Sequence, residues 1–167
     1  MKMNEEVKIY TAETVKDINE NIEKIFSAFS DVLPQKKDAV IVIKPNLNGH
    51  MNALTGNTTD LRLMASVVEF LKSRNYQNIN IAEGTNSGFF RKEIDVADRL
   101  KVRELAKYLG VEFIDLNFSE GIDLTFENNV KTQFSKICFE ADLFINLPKL
   151  KTHHEVGLSV CCKNLMG

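Results

Sequence analysis

Five consecutive apolar residues, four of them β-branched, occupy one short stretch of the chain, Ala39-Val40-Ile41-Val42-Ile43. A strand with one face in water alternates apolar and polar side chains, whereas a strand covered on both faces is apolar throughout. A continuous apolar run of this kind suits a strand that is covered on both faces, as in a parallel sheet flanked by its connecting helices. The run therefore predicts a central parallel strand, which Pro45 ends.

The rest of the chain alternates between helix-like and strand-like apolar spacing. Apolar residues at three- and four-residue steps predict helices within residues 11–31, 61–71 and 96–109. Short apolar runs predict strands at residues 7–10, 79–82, 111–116 and 142–147, and residues 122–126 predict an antiparallel ribbon reaching towards residues 134–139. This order predicts a single α/β domain over residues 1–167. Its mostly parallel sheet would carry helices on both faces, in doubly wound, Rossmann-like layers.

Charge and cysteine content exclude several classes of function. The chain has 21 Lys and Arg against 23 Asp and Glu, a formal net charge of −2, so no overall positive field attracts nucleic acid or an anionic membrane. No apolar run approaches the ~20 residues that a membrane-spanning helix requires. Three cysteines without Cys-x-x-Cys spacing indicate a reducing compartment. We therefore expect a cytoplasmic protein that binds neither nucleic acid nor membrane.

Polar residues follow three of the predicted strands. The central strand continues into Lys44-Pro45-Asn46, the next into Glu83-Gly84-Thr85-Asn86, and the last into Asn146-Leu147-Pro148-Lys149-Leu150-Lys151-Thr152-His153. In an open parallel sheet, ligands bind beyond the carboxyl ends of the strands. The sequence therefore predicts one polar site at this edge, and turn composition predicts a long irregular loop from Glu83 to Gly88 and beyond.

Lys149 and Lys151 are the sharpest feature of this edge. In an extended segment their ammonium groups lie on one face about 7 Å apart, and at an effective dielectric of ~20 they repel by roughly 2 kcal/mol. An enclosed phosphate or carboxylate offsets that repulsion, with Lys44 and Lys163 as further donors, and a nearby Glu83 also offsets it. The alternative is a solvated pair at the rim, because lysine is almost always exposed.

A threonine and the histidines complete the candidates. Thr58-Thr59-Asp60 predicts a helix N-cap, and a helix N-terminus also offers free amides to an anion, so Thr59 is a ligand-binding candidate. His153 or Glu83 is the candidate proton carrier, because a histidine near cations stays neutral near pH 7. A further alternative assigns His50, His153 and Glu83 to a metal-dependent reaction, although no zinc-ligand spacing surrounds the histidines.

Five motifs occur in a characteristic order: Ile43-Lys44-Pro45-Asn46-Leu47, Thr58-Thr59-Asp60, Ile81-Ala82-Glu83-Gly84, the segment from Ala141 to His153, and Lys163-Asn164-Leu165-Met166-Gly167. Together they resemble the domain-of-unknown-function 362 family. The resemblance implies a prokaryotic, cytoplasmic protein associated with four-iron four-sulfur clusters in a ferredoxin-like domain or partner protein. Because this chain carries no cluster-binding cysteine motif, the clusters would belong to a missing or partner domain. Family members continue past the last motif, so we expect the N-terminal part of a longer protein.

These observations favour an enzyme domain that binds a small anionic ligand, a carboxylate or a phosphate, in an iron-sulfur-associated redox context. One alternative is a non-catalytic module that binds an anion or a partner, and the other is a metal-dependent isomerase or hydrolase. The catalytic candidates are His153 and Glu83, and no metal ligand is assigned. The ligand-binding candidates are Lys44, Asn46, Thr59, Asn146, Lys149, Lys151, Lys163 and Asn164.

Overall fold

The computed structural model describes residue 9 and residues 17–153 and 157–165. Apart from Ile9, the strand predicted at residues 7–10 lies outside the described residues, as do residues 11–16 of the first predicted helix. The helices are α1 Ile18–Ala28, α2 Leu61–Ser73, α3 Ser87–Phe90, α4 Val96–Arg99, α5 Val102–Leu109, α6 Lys136–Phe139 and α7 Cys161–Asn164. The strands are β1 Ile41–Pro45, β2 Ile79–Glu83, β3 Glu112–Asp115, β4 Gly121–Thr125, β5 Lys131–Ser135, β6 Leu143–Leu147, β7 Lys151–His153 and β8 Gly157–Ser159.

Four parallel strands form the central sheet in the order β3-β2-β1-β6. Successive strands are added on one side of β1 as far as β3, and β6 then pairs on the other side, with Lys44 opposite Asn146. Strands β4 and β5 form an antiparallel ribbon, and β7 and β8 a short hairpin. The predicted α/β fold with a mostly parallel sheet and an antiparallel ribbon is confirmed.

The apolar run around Ile41 is the centre of the core. Ile41 and Ile43 belong to one buried cluster with residues of α1, α2 and α5, and Val42, which points to the opposite face, is also fully buried. A side chain of this size contributes about 1.5–3 kcal/mol when it is fully buried. The prediction of a strand covered on both faces is confirmed, and Pro45 is the last residue of this strand.

Caps and left-handed residues set the helix ends. Asp60 caps α2, because its Oδ1 accepts from the backbone N–H of Arg62 at 2.8 Å. Gly110 follows α5 with φ of 63°, as predicted for its C-terminal residue. The single helix predicted over residues 96–109 is wrong: Lys101 has φ of 65°, which cannot continue a helix, and two helices result.

Two further expectations differ from the structure. The loop predicted after Glu83 contains the short helix α3, because Asn86 Oδ1 accepts from the backbone N–H of Gly88 at 2.8 Å and starts a helical turn. The ribbon ends at Ser135, and residues 136–139 form helix α6 rather than continuing as a strand. Within residues 17–153 and 157–165, no helix has the length and apolar character needed to cross a bilayer.

Candidate functional site

A cavity of about 360 Å³ lies at the carboxyl ends of β1, β2 and β6. This position is the switch point of the sheet, since the chain extends the sheet on one side of β1 and then crosses to the other, and ligands of open α/β sheets bind at such points. The cavity is lined by Asn46, Asn48, Glu83, Gly84, Thr85, Asn86, Ser87, Asn117, Pro148, Lys149, Lys151, Ser159, Val160, Lys163 and Asn164. The structure thus brings together six of the ten candidates, drawn from segments up to 118 residues apart (164 − 46).

A buried ion pair forms the wall of this cavity. Lys44, 3% exposed, donates from its Nζ to Glu83 Oε2, and Glu83 is 5% exposed. Glu83 Oε1 accepts from the backbone N–H of Leu47 at 3.0 Å, and Oε2 accepts from that of Gly84 at 3.3 Å. Burial raises the pKa of Glu83, and the charge of Lys44 opposes that effect. The carboxylate therefore fastens the segments that follow β1 and β2 to each other.

Lys44 is not among the residues that line the main cavity. Its side chain lines a smaller cavity of about 180 Å³, together with Phe134, Cys138 and Phe144. Gly84 and Asn117 line both cavities, so the two spaces adjoin at these residues. The structure therefore places Lys44 as the partner of Glu83, at the wall between the two cavities.

Thr59 braces the segments that follow β1 and β6. Its hydroxyl donates to the backbone carbonyl of Leu147 at 2.6 Å and accepts from the backbone N–H of Asn46 at 2.8 Å, and its own N–H donates to the carbonyl of Asn46 at 2.9 Å. Thr59 is 4% exposed and lies outside the main cavity lining. The structure thus places Thr59 behind the cavity wall, where it fixes the position of Asn46.

Lys151 is held inside the cavity by two neutral acceptors. Its Nζ donates to Asn46 Oδ1 at 2.7 Å and to the backbone carbonyl of Asn57 at 2.9 Å. Burial lowers the pKa of Lys151; the charge of Glu83 opposes this effect and that of Lys163 adds to it. Within the part of the chain that the structure describes, Lys151 forms no ion pair with a carboxylate.

Asn164 attaches helix α7 to the sheet and so presents Lys163 to the cavity. Its Nδ2 donates to Asn146 Oδ1 at 2.7 Å and to the backbone carbonyl of Pro45 at 3.2 Å, and the residue is buried. Asn146 Nδ2 in turn donates to the carbonyl of Cys161 at 3.0 Å. Asn146 is therefore engaged with α7 and lies outside the main cavity lining, whereas Asn164 forms part of that lining.

The other two lysines differ in their surroundings. Lys149 and Lys163 both line the cavity. Lys149 also lies near Asp60, whose pKa is lowered mainly by its hydrogen bond with Arg62 and further by the charge of Lys149. Asp60 already has a close cationic partner in Arg62, at 2.7 Å. Lys163 lies close enough to Lys151 for its charge to lower the pKa of Lys151.

The histidines are placed differently from one another. His50 is exposed and packs edge-on against Phe89, with ring centroids 5.3 Å apart, away from the cavity lining. His153 is the last residue of β7, and its side chain, like His154, lies outside the described residues. Within residues 17–153 and 157–165, no group of three or more His, Cys, Asp or Glu side chains is arranged to hold a metal ion.

Several lining residues were not among the sequence candidates: Asn48, Thr85, Asn86, Ser87, Asn117 and Ser159. Asn48 and Asn86 lie in the polar segments that follow β1 and β2. The polar composition of these two segments was the signal from which both residues could have been predicted. Asn117 follows β3, a strand whose exit carries no lysine or histidine. Ser159 reaches the cavity through the β7–β8 hairpin, and that pairing leaves no clear periodic signal in so short a segment.

No curated protein and no solved structure matches this chain. The family model described as "Domain of unknown function (DUF362)" matches residues 41–167, which is more than half of the chain. The matched range runs from the first residue of β1 through α7, so it contains the whole sheet and every residue that lines the cavity. The chain therefore belongs to the DUF362 family.

Proposed function

We propose that this domain binds a small anionic ligand, a carboxylate or a phosphate, in the cavity at the carboxyl edge of the sheet, and that it does so as part of an enzyme. The observation that carries the proposal is the charge of the lining. Lys149, Lys151 and Lys163 line the cavity, whereas the one carboxylate that lines it among the described residues, Glu83, is already paired with Lys44. The three lysines therefore give the cavity lining a net positive charge.

The cavity also suits such a ligand in size and composition. A volume of about 360 Å³ lies in the usual range for small-molecule sites, about 300–1,000 Å³. The lining includes five asparagines, whose amides donate and accept hydrogen bonds without adding charge. Because burial lowers the pKa of Lys151, its ammonium form is poorly solvated in the free protein. A bound anion would replace the missing solvation.

Replacing Lys151 by methionine tests the proposal. We expect the affinity for inorganic phosphate or acetate, measured by calorimetric titration, to fall by about tenfold to a hundredfold, because a hydrogen bond to a charged group contributes about 1.5–3 kcal/mol. The Lys107→Met variant removes an exposed lysine of α5 and serves as the matched control. A folded Lys151→Met variant that binds both anions as tightly as the wild type would contradict the assignment.

The pH dependence of binding provides an independent test. An anion needs the ammonium form of Lys151, so its affinity falls as the pH rises through the pKa of this group. Burial places that pKa below the 10.5 of an ordinary lysine, and the decline should therefore begin below pH 10.5. In Lys151→Arg the guanidinium stays charged, and the decline should move to higher pH. An identical pH profile in the two proteins would show that Lys151 does not face the anion.

Glu83 and His153 are the two residues considered for a catalytic role. Both oxygens of Glu83 accept hydrogen bonds, so we assign to Glu83 the positioning of the cavity wall. His153 remains the proposed proton carrier, and its test is whether His153→Gln retains anion binding while turnover is lost. The iron–sulfur setting also remains a proposal. It would be supplied by another domain or protein, because the cysteines at 138, 161 and 162 lack the spacing of cluster ligands.

A further inference from the structure

Lys151 differs from the other two lysines of the cavity in how its nitrogen is held. Its Nζ is fixed by two oxygen acceptors, Asn46 Oδ1 at 2.7 Å and the Asn57 carbonyl at 2.9 Å. Neither acceptor is charged, and no carboxylate lies within 4.0 Å of this nitrogen among the described residues. Lys44, by contrast, is paired with the carboxylate of Glu83.

The two hydrogen bonds of Lys151 are compatible with both its ammonium form and its neutral amine. A neutral lysine nitrogen carries two N–H donors and one lone pair, whereas the ammonium form carries three donors. Asn46 and Asn57 accept two hydrogen bonds from this nitrogen, so both bonds can be kept when the ammonium gives up its third proton and exposes a lone pair. Because Lys151 lines the cavity, a ligand carbon in that space lies within reach of the lone pair.

We infer that Lys151 is a nucleophile that forms a protonated imine with a carbonyl compound bearing a carboxylate or phosphate group. The inference rests on the proposed function: the ammonium of Lys151 attracts the anion together with Lys149 and Lys163, and Lys151 gives up a proton once the carbonyl carbon lies beside it. The ligand class is thereby narrowed to compounds such as 2-oxo acids and ketone phosphates, in which a carbonyl carbon lies one or two bonds from the anionic group.

The reaction needs no oxidant, reductant or metal. The ammonium first gives up one proton, and the freed lone pair of Nζ adds to the carbonyl carbon while the C=O π pair moves to oxygen. That oxygen takes two protons in all, both originating from the ammonium, and leaves as water. One hydrogen stays on the nitrogen of the C=N bond. An ammonium and a ketone thus become a protonated imine and one water molecule.

The electrostatics favour this chemistry. A lysine becomes a useful nucleophile when desolvation lowers its pKa, and burial is the largest cause acting on the pKa of Lys151; the charge of Glu83 opposes this effect and that of Lys163 adds to it. The imine is cationic, so the site keeps its positive charge and does not lose its hold on the anionic group. Asn46, fixed by Thr59, holds the amine in place before reaction.

Reductive trapping tests the inference. The wild-type protein is incubated with pyruvate or with dihydroxyacetone phosphate, then reduced with sodium cyanoborohydride and analysed by intact mass and peptide mapping. We expect one stable adduct, located on Lys151, with at least one of the two compounds, and the compound that reacts identifies the anionic group. Lys107→Arg, which changes an exposed lysine of α5, should be trapped as the wild type is, and Lys151→Arg should not be trapped.

The outcomes separate this inference from the proposed function. Anion binding without any adduct overturns the inference and leaves the proposed function standing. Adducts spread over surface lysines, with equal yield in Lys151→Arg, also overturn it. Failure of inorganic phosphate, acetate, pyruvate and dihydroxyacetone phosphate to bind at all contradicts both.

Discussion

Replacing Glu83 by glutamine is expected to lower the free energy of unfolding by about 3–5 kcal/mol, the usual cost of removing one partner from a buried ion pair. The substitution keeps the size of the side chain and one carbonyl oxygen. It leaves the ammonium of Lys44, which is 3% exposed, without a counter-charge in the interior. Burial of an unpaired charge, rather than loss of packing, is therefore the physical cause of the expected loss.

The double variant Lys44→Met with Glu83→Gln is the matched control. It removes the stranded cation and retains an oxygen for the backbone N–H of Leu47, so at least half of the lost stability should return. Urea unfolding followed by circular dichroism gives the free energies, with an unchanged m-value as the check on two-state behaviour. A Glu83→Gln variant within 1 kcal/mol of the wild type (about a fivefold change in the folding equilibrium) would show that the ion pair contributes little.

Replacing Thr59 by valine is expected to cost about 2–3 kcal/mol, because it leaves both the N–H of Asn46 and the carbonyl of Leu147 without their partner. Valine has nearly the same shape, so the hydroxyl is what is removed. A second effect should follow in the cavity. Asn46 holds Lys151, and a displaced Asn46 should weaken phosphate binding as well as stability.

Thr59→Ser separates these two effects from a loss of packing. Serine restores the hydroxyl and removes only a methyl group, so stability should recover to within about 1 kcal/mol and phosphate affinity should return. Thermal unfolding and calorimetric titration of the same samples give both quantities. If valine and serine variants bind phosphate equally well, Thr59 braces the fold without positioning the cavity.

Features of this fold that follow from local burial patterns or from strand order can be predicted from the sequence. The apolar run around Ile41 predicts the central strand, because continuous burial on both faces leaves a local signature. The convergence of Asn46, Glu83 and Lys149 follows from parallel strands ending at one edge, which topology alone dictates. These predictions need no knowledge of individual side-chain contacts.

Contacts between distant residues were the part that sequence could not supply. Lys44 was expected to face an anion, but its position 39 residues from Glu83 gives no local sign of the ion pair between them. Asn146 was expected to orient a ligand, and it is bound instead to Asn164 and the carbonyl of Cys161. The helix break at Lys101 is caused by a left-handed backbone conformation. Because this residue is not a glycine, the sequence gives no local sign of the break.

The distance along the chain between the two sides of the cavity has a consequence for biosynthesis. Lys151 reaches back 105 residues to Asn46, and Asn164 reaches back 119 residues to Pro45. On a ribosome, strands β1 to β3 are made long before these contacts can close, and such late contacts are entropically costly to form. A nascent chain that ends before residue 151 lacks two of the three lysines that line the cavity, so the positive charge of the cavity is complete only after residue 163 has been made.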